Sequence, residues 1–273
     1  MTHEVILTNP PTPVSLKCVD PGTSKAQLRS RIRAARANRP VDEATPAASS
    51  STTTASPQVT PTEAAPDSTP HPASAAAPDT VAPAGSVADA AWTLIRNAPV
   101  RSLLAYAALP GEPDLEPALD RFLAAGGTVY LPIVTRMGEP LMFGRVTESM
   151  TSLSPQGRWG IREPAQDGTM LTAAQLLSPA VGLDLIFVPA LGFGADGARL
   201  GNGGGFYDRT FGPDGQKPLG SGPDSSGAPE LSGPRIVGVC FADELDLTGL
   251  VAEDWDLRIP AAVTEEGTHI FRA

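Results

Sequence analysis

The sequence predicts an α/β protein with a largely parallel sheet covered on both faces, and three observations predict it. Short apolar runs that read as strands alternate with amphipathic runs that read as helices, the signature of βαβ units. The most apolar of these runs, Leu183 to Val188, is followed directly by a glycine-rich stretch that opens a helix. An Ala/Pro/Ser/Thr-rich segment with no hydrophobic period separates one short N-terminal helix from everything else.

Residues 1–23 carry prolines and no period, and read as a poorly ordered extension. A helix follows over 24–40. Ser24 and Gln27 fit a capping box at its start and Pro40 stops it. Leu28, Ile32 and Ala35 form its apolar side; Lys25, Arg29, Arg33 and Arg36 form a basic stripe, which on its own reads as a solvated face. Residues 41–85 cannot bury enough apolar surface to offset their ordering entropy and read as a disordered insertion. The main body resumes at 86 and runs to 273. In it the pattern predicts helices over 87–96, 115–125, 172–177 and 206–211. It predicts strands over 102–108, 128–134, 183–188 and 235–241, a weaker strand over 141–146, and a last short one over 261–264. Residues 212–234 read as a loop.

Composition excludes several classes of function. The chain has 273 residues, net charge -10 and no apolar run long enough to span a bilayer. The acidic balance disfavours a nucleic-acid partner. Without a visible signal peptide or membrane span, the cytoplasm is the expected location and no membrane partner is expected; a monomer is the expected state. The two cysteines, Cys18 and Cys240, match no metal-site spacing. The three histidines are His3, His71 and His269, so the predicted core holds almost none. That argues against a Ser-His-Asp triad, a histidine zinc site and a histidine general base. Chemistry here must run on carboxylates, Lys, Arg, backbone amides and bound ions.

In open parallel sheets the ligand site lies beyond the C-terminal ends of the strands, which directs attention past Val188. Two features compete there. Gly192-Phe-Gly194-Ala-Asp-Gly197 is a literal G-x-G-x-x-G, but no amphipathic helix follows it and no acid-ended strand comes some twenty residues on, so a dinucleotide turn is discounted. The second is Arg199-Leu-Gly201-Asn-Gly203-Gly204-Gly205-Phe-Tyr207-Asp208. Clustered glycines before a helix let backbone N–H groups approach an anion; Arg199 supplies a fixed charge, and Asp208 an oxygen donor for a hard cation. The residues alone leave a second reading open, a flexible glycine loop with a helix-capping acid. No G-x-x-x-x-G-K-[ST] loop and no protein-kinase signature occurs.

Arg199 to Arg209 resembles the signature of the 5-formyltetrahydrofolate cyclo-ligase (methenyltetrahydrofolate synthetase) family. Further family-like pieces occur in order: Lys25-x-x-Leu28-Arg29, Leu109-Pro-Gly-Glu112, Val129-Tyr-Leu-Pro132, Trp159-Gly-Ile-Arg-Glu163-Pro164, Asp184-Leu-Ile-Phe-Val-Pro189, and Asp254-Trp-Asp256 followed by Val263-Thr264-Glu265. The resemblance implies a single three-layer α/β/α domain, Rossmann-like, with a mainly parallel sheet. It implies a ligase that uses ATP and Mg2+ to convert 5-formyltetrahydrofolate into 5,10-methenyltetrahydrofolate, ADP and phosphate. It implies ATP contacts at Lys25, Arg29, Arg199, Leu200, Gly201, Asn202, Gly203, Gly204, Gly205, Phe206 and Tyr207, with Lys25, Arg199 and Asp208 as the catalytic set. Folate contacts are implied at Arg29, Glu112, Trp159 and Asn202 through Phe206, and magnesium at Asp208 and Asp256. Arg33 and Arg36 stay with the solvated-face reading. The chain departs from the family in its tail, its insertion, its expanded 212–234 loop, and in Phe206, where tyrosine is usual. Two alternatives stand beside this reading: another ATP- or sugar-phosphate-using enzyme of similar fold, and a catalytically silent folate- or nucleotide-binding protein.

Overall fold

The computed structural model describes residues 23–39, 85–156, 160–164, 169–219 and 233–272. The sequence expectations for residues 1–22 and 40–84, for Trp159 and for residues 220–232 therefore lie outside the described residues.

The local signals explain the helices. Helix α1 spans Lys25–Ala37, and its capping box is formed: the Gln27 amide donates to Ser24 Oγ and the Ser24 amide to Gln27 Oε1. It ends at Asn38, before Pro40. Helix α2 spans Val87–Arg96 and is capped the same way by Ser86 and Asp89. Strand β1 is Ser102–Leu104, helix α3 Glu116–Ala124, strand β2 Thr128–Ile133 and strand β3 Met142–Arg145. A small hairpin follows, β4 (Ser154–Gln156) with β5 (Ile161–Glu163). Helix α4 is Ala173–Leu176, capped by Thr172, and strand β6 is Leu185–Pro189. Then come β7 (Gly192–Phe193), β8 (Arg199–Leu200) and helix α5 (Phe206–Phe211). Strands β9 (Arg235–Val239), β10 (Ala261–Thr264) and β11 (Gly267–Ile270) complete the chain.

The main sheet of the described residues has seven strands in the order β11-β10-β9-β6-β1-β2-β3. Strands β10, β9, β6, β1 and β2 run parallel, with Leu103 opposite both Val129 and Leu185, and Phe187 opposite Val237. Only β3 and β11, at the edges, run antiparallel. Side chains alternate across the sheet as strand geometry requires. Leu103, Leu185, Phe187, Val237 and Val263 face a core formed with α2 and α3. Leu104, Ile186, Val188 and Ala262 face a second core with α4, α5, Phe143, Phe193 and Phe271. This is the expected three-layer α/β/α domain.

The differences from the sequence reading have physical causes. The apolar run expected as a strand to Ala108 leaves the sheet after Leu104, yet Ala105, Tyr106 and Ala107 remain buried. Burial fixes the apolar pattern there without pairing, so pattern alone overextends the strand. Strand β11 escapes the reading because its polar and apolar residues alternate weakly and Ile270 is exposed. Gly192 to Gly197 starts β7 and turns back into β8, with Gly194 and Ala198 closing the turn, so it opens no helix. A Cβ on Gly197 would lie 2.2 Å from the Ile259 carbonyl oxygen, so packing explains that glycine.

Helix α1 docks on the body through a third cluster. Leu28 and Ile32 pack with Leu191, Ala198, Leu200, Leu247 and Leu250. The helix thus lies beside the β7–β8 hairpin, at the C-terminal end of β6.

Candidate active site

Past the ends of β1, β2 and β6 lies a cavity of about 900 Å³. Tyr106 and Ala107 line it after β1, Pro132 and Val134 at β2, and Pro189 at the end of β6. The position is the one parallel-sheet topology favours for a ligand.

One wall is the loop Gly201–Gly205 between β8 and α5. Gly203 (φ 98°) and Gly205 (φ 64°) hold left-handed backbone, which glycine adopts without a Cβ penalty. Gly205 is the N-cap of α5, which has only six residues. Few peptide dipoles align in so short a helix, so side chains carry most of the positive charge at this wall.

Those side chains come from two directions. From α1, Lys25 Nζ lies 2.6 Å from Asp256 Oδ2 and 3.8 Å from Glu253. Arg29 donates through Nε to the Gly201 carbonyl at 2.9 Å. From β8, Arg199 is 5 % exposed and donates to Asp208 Oδ1 at 2.8 Å and to the Pro189 carbonyl at 3.3 Å. Its guanidinium stands 5.5 Å from the centre of the Tyr207 ring. From α5, Arg209 covers the Phe206 ring and donates to the Gly204 carbonyl.

Among the described residues, three buried side-chain atoms in this wall have no hydrogen-bond partner: Arg199 Nε, Tyr207 Oη and Arg209 Nε. Each carries a proton to donate, because burial also pushes the Tyr207 phenol well above its ordinary range. A cavity wall with orphaned donors and four cationic side chains is built for an anion rich in acceptor oxygens.

The carboxylates are spread around the same cavity. Asp208 Oδ1 also accepts the Leu257 amide at 3.2 Å, which brings the Asp256 loop onto the first turn of α5. Burial pushes the Asp208 carboxyl up, but the Arg199 charge and hydrogen bond outweigh it and hold the group below the usual range. Asp256 Oδ2 accepts both Lys25 and the Glu253 amide. Among the described residues no group of three or more His, Cys, Asp or Glu side chains is arranged for a metal ion. Asp208 and Asp256, held here by Arg199 and Lys25, are oxygen donors of the type a hard cation takes. Glu112 accepts the Leu109 amide on one oxygen and Asn202 Nδ2 on the other, at 3.0 and 2.8 Å, so its carboxylate stands against the glycine loop. Leu109, Pro132, Val134, Leu141 and Ile161 add an apolar part to the lining.

Of the residues singled out by sequence, Lys25, Arg29, Glu112, Arg199, Gly201 through Tyr207, Asp208 and Asp256 all line this one cavity. Leu200 does not. Its side chain is fully buried against α1, so any part it plays is through the backbone. Arg36 corrects the solvated-face reading, whereas Arg33 stays exposed as that reading expects. Arg33 donates to the Asn202 carbonyl at 2.8 Å, and Arg36 is buried against Glu244. Sequence reading also passed over Tyr106, Arg209, Glu253 and the exposed Met137 and Trp255, which line the cavity. Arg209 and Trp255 lie inside motifs it quoted, so proximity to those motifs was the available signal.

The model of the 5-formyltetrahydrofolate cyclo-ligase family matches residues 72–224. The chain belongs to this family. Its members named as 5-formyltetrahydrofolate cyclo-ligases are ligases, and the chain is 28 % identical to the one from Escherichia coli (strain K12) over 165 residues, covering 58 % of this chain and 75 % of the relative. It is 34 % identical to the one from Mycolicibacterium smegmatis over 115 residues, covering 41 % and 55 %. The solved 5,10-methenyltetrahydrofolate synthetase of Aquifex aeolicus is similar with a TM-score of 0.49 and 23 % identity, over 68 % of this chain and 82 % of that one. The matched range holds Glu112 and the glycine loop, whereas Lys25, Arg29 and Asp256 lie outside it and enter the site through the fold.

Proposed function

We propose that this cyclo-ligase family member closes 5-formyltetrahydrofolate to 5,10-methenyltetrahydrofolate, using ATP and magnesium and releasing ADP and phosphate. The observation that carries the reading is the mixed lining of the cavity: orphaned donors and cations about the glycine loop, Glu112 held against Asn202 of that loop, and apolar side chains beside them. The cationic part suits a triphosphate, the apolar part with Glu112 a folate.

The chemistry calls for both ligands. The formyl carbon is an amide carbon on one folate nitrogen, and ring closure needs the neighbouring amine to attack it and its oxygen to leave. Oxide is a poor leaving group. Attack of the formyl oxygen on the γ-phosphorus forms a P–O bond and expels ADP. The amine then adds to the activated carbon, phosphate leaves with the C–O electron pair, and the amine nitrogen gives up its proton. Phosphoryl transfer asks the protein chiefly for alignment and charge stabilisation. In this reading Lys25 and Arg29 hold phosphate oxygens from α1, the loop amides and Arg199 from the other side, and Asn202 to Phe206 lie between nucleotide and folate. Magnesium, held by Asp208, Asp256 and phosphate oxygens, would neutralise charge on the triphosphate. Glu112 holds a polar N–H of the folate or orients the attacking amine. His269, on the edge strand β11, has its ring against Phe271, and the reading assigns it no role. No described helix is long and apolar enough to cross a membrane, and the cytoplasm is the expected setting.

The test is an initial-rate assay following methenyl absorbance. Product is expected only when chain, ATP, magnesium and 5-formyltetrahydrofolate are all present. Folded chain that binds ATP yet forms no product would overturn the reading.

A further inference from the structure

Arg36 closes the basic stripe of α1, but it does not face the cavity. Its side chain is 4 % exposed and that of Glu244 is 0 % exposed. The guanidinium forks onto the carboxylate, Nε to Oε1 and Nη2 to Oε2, both at 2.7 Å. Nη2 also reaches the Ala190 carbonyl at 2.8 Å, one residue beyond β6. The preceding carbonyl, Pro189, is the one that accepts Arg199. Glu244 is held in turn by the Phe241 amide at 2.9 Å, and the Phe241 ring lies under the guanidinium. On the other side, a Cβ placed on Gly111 would lie 3.7 Å from the Arg36 Cβ, so the last turn of α1 abuts the loop that carries Glu112.

Burying two charges is weak grounds for extra stability, because desolvation offsets most of the attraction; the best-attested use of such a pair is to fix register. That use fits here. Leu28 and Ile32 hold α1 down by apolar contact, which is non-directional and permits rotation or slippage. A planar bidentate fork is directional. Slipping a helix by one residue turns each side chain by about 100°, enough to carry Lys25 and Arg29 off the glycine loop.

We propose that Arg36 is a positioning residue: its buried fork to Glu244 and Ala190 sets the register of α1, and so the place of Lys25 and Arg29 against the nucleotide phosphates. The inference rests on the reading of α1 as a phosphate-binding element. The fork also ties that helix to the strand end that orients Arg199, so the cations from α1 and from β8 share one reference point.

The test is steady-state kinetics and thermal unfolding of the full chain with Arg36→Lys, Glu244→Gln, the double replacement Arg36→Met with Glu244→Met, and Lys25→Ala. Arg36→Lys keeps the charge and loses the fork; Glu244→Gln keeps the shape and loses the charge. Both are expected to raise KM for ATP about tenfold, with a smaller rise in KM for the formyl-folate passed on through Arg29. The apolar pair is expected to unfold at or above the temperature of the single variants and still show the raised KM for ATP. An apolar pair with the parent KM for ATP, or equal shifts in both KM values, overturns the positioning role. If Arg36→Lys does not fold, Glu244→Gln and the apolar pair decide. Lys25→Ala separates the two levels. If it leaves KM for ATP unchanged, the phosphate-binding reading of α1 fails and the positioning role falls with it. If it raises KM while the Arg36 and Glu244 variants do not, only the positioning role fails.

Discussion

Asp208→Ala leaves Arg199 buried without its counter-charge. The Arg199 side chain is 5 % exposed, and it donates to Asp208 Oδ1 at 2.8 Å and to the Pro189 carbonyl at 3.3 Å. The substitution also strips the Leu257 amide of its acceptor. Breaking a buried pair from one side destabilises by roughly 3–5 kcal/mol. Asp208 is 21 % exposed, so water compensates in part and the low end, about 3 kcal/mol, applies. For a chain of this size each kcal/mol shifts Tm by roughly 2–4 °C, giving an expected fall of about 6–12 °C. Asp208→Asn keeps an oxygen for the Leu257 amide and removes only the charge, so about half that fall is expected. Both variants are expected to lose turnover. Thermal unfolding followed by circular dichroism, with the methenyl assay alongside, measures both. Asp208→Ala that melts within about 2 °C of the parent would refute the claim that this carboxylate neutralises Arg199 in the folded chain.

Two further expectations follow from the same contacts. The Asp208 carboxyl is held low by Arg199 against the opposing effect of burial; its contribution is present above the unfolded value near 4, and is lost as pH falls through the lower folded value. The Tm difference between parent and Asp208→Ala should therefore be flat from about pH 7 to 5 and shrink below about pH 4, and a difference that persists in full in acid would contradict the pairing. Ile32→Ala removes a side chain 1 % exposed from the surface where α1 docks. A loss of about 2–4 kcal/mol there should speed amide exchange in α1 while leaving β6 protected, and uniform acceleration in both would show that α1 does not dock as a separable layer.

Much of this architecture was legible locally. The Ser24 cap marks a helix start because a side-chain oxygen three residues from its amide donor is a short-range contact. The bounds of α5 follow from the glycine cluster before it. The strands were placed by burial, and burial misled where Ala105 to Ala107 stay buried after pairing ends. Long-range partners left no local mark. A basic residue every three or four positions looks the same whether it faces water, as the stripe was read, or meets Glu244 as Arg36 does. Leu200 was read as part of a ligand loop because it stands between Arg199 and Gly201, yet strand alternation turns it into the α1 interface. The candidate site was more legible than these because its residues cluster in sequence around the glycine loop; only the fold could bring Lys25, Glu112 and Asp256 to it.

The most direct test of the central claim follows the formyl oxygen. With 5-formyltetrahydrofolate labelled with oxygen-18 in the formyl group, mass spectrometry of the released phosphate should find one label per methenyl product formed, because that oxygen attacks phosphorus and leaves with it. Unlabelled phosphate, with methenyl product formed at the same rate, would contradict phosphorylation of the formyl oxygen and the division of the cavity built on it.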